Sequence, residues 1–265
     1  MSPFGSVGRG SLLGLADALD TGRLGAPYTV FSLRRWLAAE QAGAVAAELE
    51  RLGGAGMQPA HLAYLLRALA EEQEQAQRAS DRIELVWTGP ETPGSASRDT
   101  GVVVRELFAS AERSVLVAGF VVYQGRDVFR VLAERMDALP SLVVRMFLNV
   151  SRPAGDDTTP DAQLLAAFAD RFRRHEWPGR RLPQIFYDPR ALSARPGPRA
   201  VLHAKCVVVD GERSLVTSAN FTEAAQQRNI EAGALVADPA FARALQAQLE
   251  TLASSGVLRR VAGMG

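Results

Sequence analysis

The chain is poor in three residue types. In 265 residues it has one cysteine, Cys206, one lysine, Lys205, and three histidines, His61, His175 and His203. A single thiol excludes an internal disulfide and suits a reducing cytoplasm. One cysteine with three histidines leaves no Cys/His zinc cage. No apolar run reaches membrane-spanning length, and the longest, 114–123 and 142–148, are strand-sized. The N-terminus shows no basic patch followed by an apolar stretch and a cleavage site, so no secretory signal is expected. A net charge of +1 denies the whole chain a strong pull on polyanions. Apolar residues at 47% still allow a sizeable core.

The scarcity of lysine is informative. Of 30 basic residues, 29 are arginine. Arginine is a rigid planar fork, whereas lysine is a compact point charge on a flexible stem. A site that needs a small ammonium beside a phosphoryl oxygen would be the exception to the arginine habit. Lys205 lies in the stretch 201–231, VLHAKCVVVDGERSLVTSANFTEAAQQRNIE. His203 and Lys205 are two apart in an apolar, β-branched run, so a strand there would point both to one face. Cys206 would face the other way, as a small buried hydrophobe. Asp210 precedes Gly211, a second short strand is expected over 214–216, and Ser218, Asn220 and Glu231 follow.

His203-x-Lys205, four residues, Asp210, six residues, then Thr217-Ser218-x-Asn220 resembles the HxK(x)4D(x)6GSxN signature of the phospholipase D superfamily. Thr217 departs from it, standing where the superfamily usually has glycine. The resemblance covers roughly residues 83–255 and implies an α/β fold, a phospholipase-D-like mixed sheet flanked by helices. It further implies a phosphodiesterase that needs no metal or other cofactor. His203 would be the nucleophile, with Glu231 on its other ring nitrogen. Lys205, Ser218 and Asn220 would donate to the phosphoryl oxygens. Asp210 belongs to the motif, although its place before Gly211 also suits holding the turn. In-line displacement needs an acid opposite the nucleophile, and superfamily members supply it from a second motif copy. Here His61 precedes Leu62-Ala63 and His175 precedes Glu176-Trp177, so neither repeats the pattern. A homodimer is expected, the partner's His203 serving as acid; His175 is a weaker alternative.

Along the chain, residues 1–80 read as a helical region and 81–265 as the catalytic domain. A helix capped by Ser32 carries Leu33, Trp36 and Leu37, and another over 59–78 carries Leu62, Leu65, Leu66 and Leu69. From 83 onward strands and helices alternate: strands over 83–87, 114–121, 142–149 and 184–187, helices over 101–111, 126–139, 161–174 and from Pro239. Between 171 and 200 there are eight arginines against two acids, Glu176 and Asp188. That segment could guide a phosphate polymer or be a solvated face. Arg195, Arg199 and Arg228 are the expected phosphate contacts.

WTGPE from 87, FLNV from 147, WPG from 177 and TSANFTEAAQQRNIEAG from 217 are also similar to a phospholipase-D-like branch of bacterial phage defence. This implies DNA as substrate, other defence subunits as partners and the cytoplasm as location. Two other functions compete: a DNA- or phosphate-binding subunit without turnover, for which Thr217 leaves room, and a phospholipase. The last is disfavoured, because no helix opposes a Lys/Arg face to Trp, Phe and Leu as a membrane-surface helix would.

Overall fold

The computed structural model describes residues 2–94, 96–195 and 197–265. They form two units, Met1–Asp81 and Arg82–Gly265. The first is helical: α1 (Arg9–Asp20), α2 (Val30–Leu33), α3 (Ala39–Gly54) and α4 (Pro59–Ser80). Leu12, Leu15 and Leu19 of α1 join Leu62 and Leu66 of α4 in one buried cluster, each contributing about 1.5–3 kcal/mol of burial. Ser32 is not the helix cap expected. Thr29 caps α2 by accepting from Ser32 N, and Ser32 Oγ accepts from Thr29 N in return, a capping box.

The second unit runs β1 (Ile83–Thr88), β2 (Arg98–Asp99), α5 (Thr100–Ala109), β3 (Ser114–Gly119), β4 (Val122–Tyr123), α6 (Gly125–Val128), α7 (Arg130–Ala138) and β5 (Val143–Leu148). Then come α8 (Asp161–Arg171), β6 (Gln184–Tyr187), β7 (Cys206–Val209), β8 (Arg213–Thr217), β9 (Phe221–Thr222), α9 (Glu223–Gln227), β10 (Glu231–Val236), α10 (Pro239–Ser254) and β11 (Arg259–Arg260). The main sheet is mixed, in the order β11-β6-β5-β3-β7-β8-β10-β1-β2. β3, β5 and β6 are parallel, while β7, β8, β10 and β1 alternate in direction. Alternation along the strands feeds two cores. Val115, Val117, Val207 and Val209 face a cluster with Phe108, Phe129 and Leu132 from α5 to α7. Leu116, Ala118, Cys206 and Val208 face Ala242 and Leu249 of α10. Helices thus cover both faces, as an α/β sheet requires.

Three expected elements differ. The helix over 126–139 breaks at Phe129, whose buried ring packs on Phe108, Trp177 and Phe221. The helix over 161–174 ends at Arg171 and continues as a π turn, Phe172–Glu176. Residues 201–205 are not strand: β7 begins at Cys206. β3 stops at Gly119, and the chain turns away to pair β4 with β9, so residues before Cys206 have no strand to continue along on that side. Gly119 is required there, since a Cβ would come within 2.8 Å of the Phe221 ring.

The register puts one set of strand ends together. Ala118 pairs with Cys206, Cys206 with Val216, Thr217 with Gly233, and Glu231 with Thr88. The motif residues other than Asp210 therefore meet at the edge where the parallel strands β3 and β5 end, the usual place for a site in such a sheet.

Candidate active site

His203 and Lys205 converge despite lying outside the strand. Lys205 Nζ is 3.1 Å from His203 Nδ1 and 3.3 Å from Nε2, and donates to the His203 carbonyl at 2.9 Å. The near-equal distances to both ring nitrogens mean that the ammonium does not sit on either lone pair, so an unprotonated ring nitrogen stays open to a substrate. Phe120 fixes the pair from the side. Its ring centroid is 4.6 Å from the imidazole and 5.5 Å from Lys205 Nζ, a cation–π contact. Lys205 is 8% exposed, while His203 is open to solvent. Burial lowers the Lys205 pKa, and the charge of Glu231 partly opposes this. Leu202 N donates to Asn149 Oδ1 at 3.3 Å, which ties the segment to the end of β5.

Glu231 does not reach His203 among the described hydrogen bonds. Its Oε2 accepts from Ser218 Oγ and its Oε1 from Asn229 Nδ2 at 3.1 Å. Ser218 Oγ in turn accepts from Ala232 N at 3.1 Å. Asn220 sits in the turn between β8 and β9, its Oδ1 buried with no partner among the described residues. Thr217, the departure from the motif, is well accommodated. Its φ is not positive, so no glycine is demanded by the backbone. Its hydroxyl accepts from Ala219 N at 3.0 Å and donates to the Ala232 carbonyl at 3.3 Å. The room comes from across the ladder: a Cβ on Gly233 would lie 2.9 Å from Thr217 Cβ and 2.9 Å from the Val216 carbonyl.

A family model described as "Cardiolipin synthase, PLD-like domain" matches residues 104–253, more than half of the chain. The chain belongs to the phospholipase-D-like family. It is also similar to "DISARM protein DrmC" of Bacillus paralicheniformis, 28% identical over 207 residues, 77% of this chain and 75% of that protein. Among solved structures it is similar to Nuc, a phospholipase D family member of Salmonella typhimurium (17% identity, TM-score 0.41, 67% of this chain and 96% of that one). It is similar as well to NucT of Helicobacter pylori (14%, TM-score 0.40, 57% and 84%) and to phosphatidylserine synthase of Haemophilus influenzae Rd KW20 (13%, TM-score 0.41, 77% and 47%).

Not every residue of the family's motif joins the cluster. Asp210 lies at the far end of β7, roughly 16 Å of extended chain from Lys205. There it takes φ +57 and its carboxylate accepts from Glu112 N, Arg113 N and Ser114 N at 2.7–2.9 Å. Burial alone would raise its pKa, and the backbone bonds from Ser114, Glu112 and Arg113 outweigh that and hold it low. Cys206 is 2% exposed and burial pushes its thiol up to about 11, so it is an inert core residue.

Most of the arginine run is spent inside the chain. Arg171 pairs with Glu176, Arg174 with Asp170, Arg180 with Asp137 and Arg190 with Asp188, while Arg173 and Arg181 donate to backbone carbonyls. Arg199 Nη1 donates to the Arg152 carbonyl, and its Nε is buried without a partner among the described residues. Arg195 and Arg228 are exposed. His175 belongs to the π turn after α8. Sequence reasoning missed Phe120 and Asn149. Both lie just past strand ends, in SVLVAGF and MFLN, and that position is the signal that could have found them. Among the described residues no three His, Cys, Asp or Glu gather as a metal site, and no helix is long and apolar enough to cross a membrane.

Proposed function

We propose that this chain is a metal-independent nuclease that cleaves DNA through a covalent phosphohistidine, as a cytoplasmic component of a phage-defence system with other subunits. The observation that carries the reading is the 3.1 Å approach of Lys205 Nζ to the His203 ring at an open sheet edge. A neutral imidazole held beside a buried cation is arranged for attack on a phosphorus atom whose oxygens that cation stabilises. The likeness to a DISARM protein supports the defence setting.

In the first step the unprotonated ring nitrogen of His203 bonds to phosphorus, and the bond from phosphorus to the leaving oxygen breaks. The partner's His203, as imidazolium, gives that oxygen its proton. Lys205 neutralises the oxygens that remain and the Asn220 amide N–H₂ donates to them; Ser218 would be a further donor once its hydroxyl turns from Glu231. In the second step water bonds to phosphorus, the partner's His203 takes its proton, and the phosphorus–nitrogen bond breaks. A homodimer is part of the proposal, because one imidazole cannot stand on both sides of phosphorus. Glu231, bonded to Ser218 and near enough to oppose the Lys205 shift, would hold the donors in place. That same placement, on Ser218 and Asn229 instead of His203, favours a second reading, a phosphate-binding subunit without turnover.

Purified protein with plasmid DNA and bis(p-nitrophenyl) phosphate, in the presence of a chelator, distinguishes the two. Cleavage of both, abolished by His203→Ala, is expected. Activity that survives His203→Ala, or that appears only with magnesium, rejects the mechanism. DNA binding without cleavage by wild type favours the second reading.

A further inference from the structure

We propose that the cavity beside Phe120 receives a nucleobase turned out of its stack, so that the strand offered to His203 is single-stranded at the point of cleavage. This rests on the phosphodiesterase reading and names its substrate class. The cavity holds about 310 Å³ and opens where β3 and β5 end. Phe120 lines it, and the same ring lies 4.6 Å from the His203 imidazole, so cavity and nucleophile share a wall. A phosphate at His203 would therefore have its neighbouring sugar and base beside this opening.

The lining suits a flat ring with a polar edge. Tyr123, 61% exposed, and Phe168 add aromatic faces, and the Arg171 guanidinium lies 5.9 Å from the Phe168 ring. Aromatic and guanidinium planes stack on any base. Asn149 and Ser151 line the same cavity with hydrogen-bonding side chains, which could meet a base edge. An acyl chain would offer no partner to the Asn149 amide N–H₂ or the Ser151 hydroxyl, at a desolvation cost. A base inside a duplex cannot reach the cavity without leaving its stack.

The test uses fluorescence anisotropy of the full chain with two labelled strands of equal length, an oligothymidylate and an abasic strand with the same phosphates. Wild type is expected to bind the thymidylate about five-fold or more tightly, the lower end of one base–aromatic stack. Tyr123→Ala should erase that preference and Tyr123→Phe should keep it. Equal binding of the two strands by wild type, or a preference untouched by Tyr123→Ala, overturns the inference. The small diester, bis(p-nitrophenyl) phosphate, reports the phosphodiesterase reading by itself. If wild type fails to cleave it while base-dependent binding stands, the proposed function falls and the nucleobase site remains.

Discussion

Strand β7 joins two ends that share one motif and have opposite characters. At one end Asp210 is saturated, its two carboxylate oxygens taking three backbone N–H bonds. At the other, His203 is exposed, Lys205 presses its charge on the imidazole, and Asn220 keeps a buried oxygen without a partner among the described residues. A group whose hydrogen bonds are all made within the chain has little left to offer a substrate. A group left partly unmade is costly to the fold and available to a ligand. The two ends divide the motif into a half that serves the fold and a half free to meet a ligand.

The largest effect should follow His203→Ala. Loss of a nucleophile that acts in both steps should cut diester hydrolysis by about 10³-fold or more, near 4 kcal/mol of barrier. An exposed imidazole bears little of the fold, so the melting temperature should barely move. A melting temperature that drops with the activity would erase the contrast between the two ends. Refolding wild type together with His203→Ala sharpens it further. If each site needs both imidazoles, activity should fall as the square of the wild-type fraction, and a linear fall would remove the dimer from the mechanism.

Asp210→Asn should do the reverse. Asparagine tolerates the left-handed backbone at φ +57, so the change isolates the carboxylate. One acceptor oxygen is lost and an amide N–H₂ is turned toward backbone donors, costing about 2–3 kcal/mol at neutral pH. The sign with pH follows from the depressed folded pKa. The carboxylate stabilises the fold above the unfolded value of about 3.9 and ceases to as pH falls through the lower folded value. Thermal melts of wild type and Asp210→Asn should therefore differ most near pH 7 and converge as pH falls through the depressed folded value. Activity of the folded variant should stay within a few-fold of wild type. A folded Asp210→Asn with activity as low as His203→Ala would return Asp210 to the half that meets a ligand.

Lys205 gives a smaller, pH-dependent effect. Burial lowers its pKa more than Glu231 restores it, so the ammonium discharges below the ordinary lysine value of about 10.4. The alkaline limb of kcat/KM should fall below that pH, each further unit costing about tenfold. Lys205→Arg keeps a cation at all these pH values and should flatten the limb at lower activity, since a planar fork does not fit a point-charge site. A limb unchanged in Lys205→Arg would assign it to another group.

The fold was legible in the sequence because it rests on pattern. Runs such as SVLVAG and VVRMFL are strand-length and apolar, and the stripes on α8 and α10 follow helical spacing. The cluster of His203, Lys205, Ser218 and Asn220 was legible as a motif, yet its cause was misread. A shared strand face was expected to align His203 and Lys205. A loop does so instead, held by the Lys205 bond to the His203 carbonyl and by Asn149 on Leu202. Those contacts depend on where β3 and β5 end in space, which no local spacing records. The broken helix at Phe129 hides for the same reason, because its partners Phe108, Trp177 and Phe221 are distant in sequence.

The smallest effect concerns Thr217, and it tests whether an exception to a motif can be absorbed by its neighbour. Thr217 and Gly233 face each other across β8 and β10, and the side chain absent from one makes room for the side chain present on the other. Thr217→Gly removes two hydroxyl bonds and loosens the turn that carries Ser218 and Asn220, a loss of about 1 kcal/mol. Gly233→Ala alone forces a Cβ to 2.9 Å of both Thr217 Cβ and the Val216 carbonyl. Together the two changes should cost less than their sum, because the first removes half of the second's clash, and the carbonyl half remains. Urea melts of the four proteins measure that coupling, expected at about 0.5–1 kcal/mol. Strict additivity would mean that Thr217 and Gly233 tolerate each other without depending on each other, and the threonine would then be a neutral replacement in a turn held by Ser218 and Glu231.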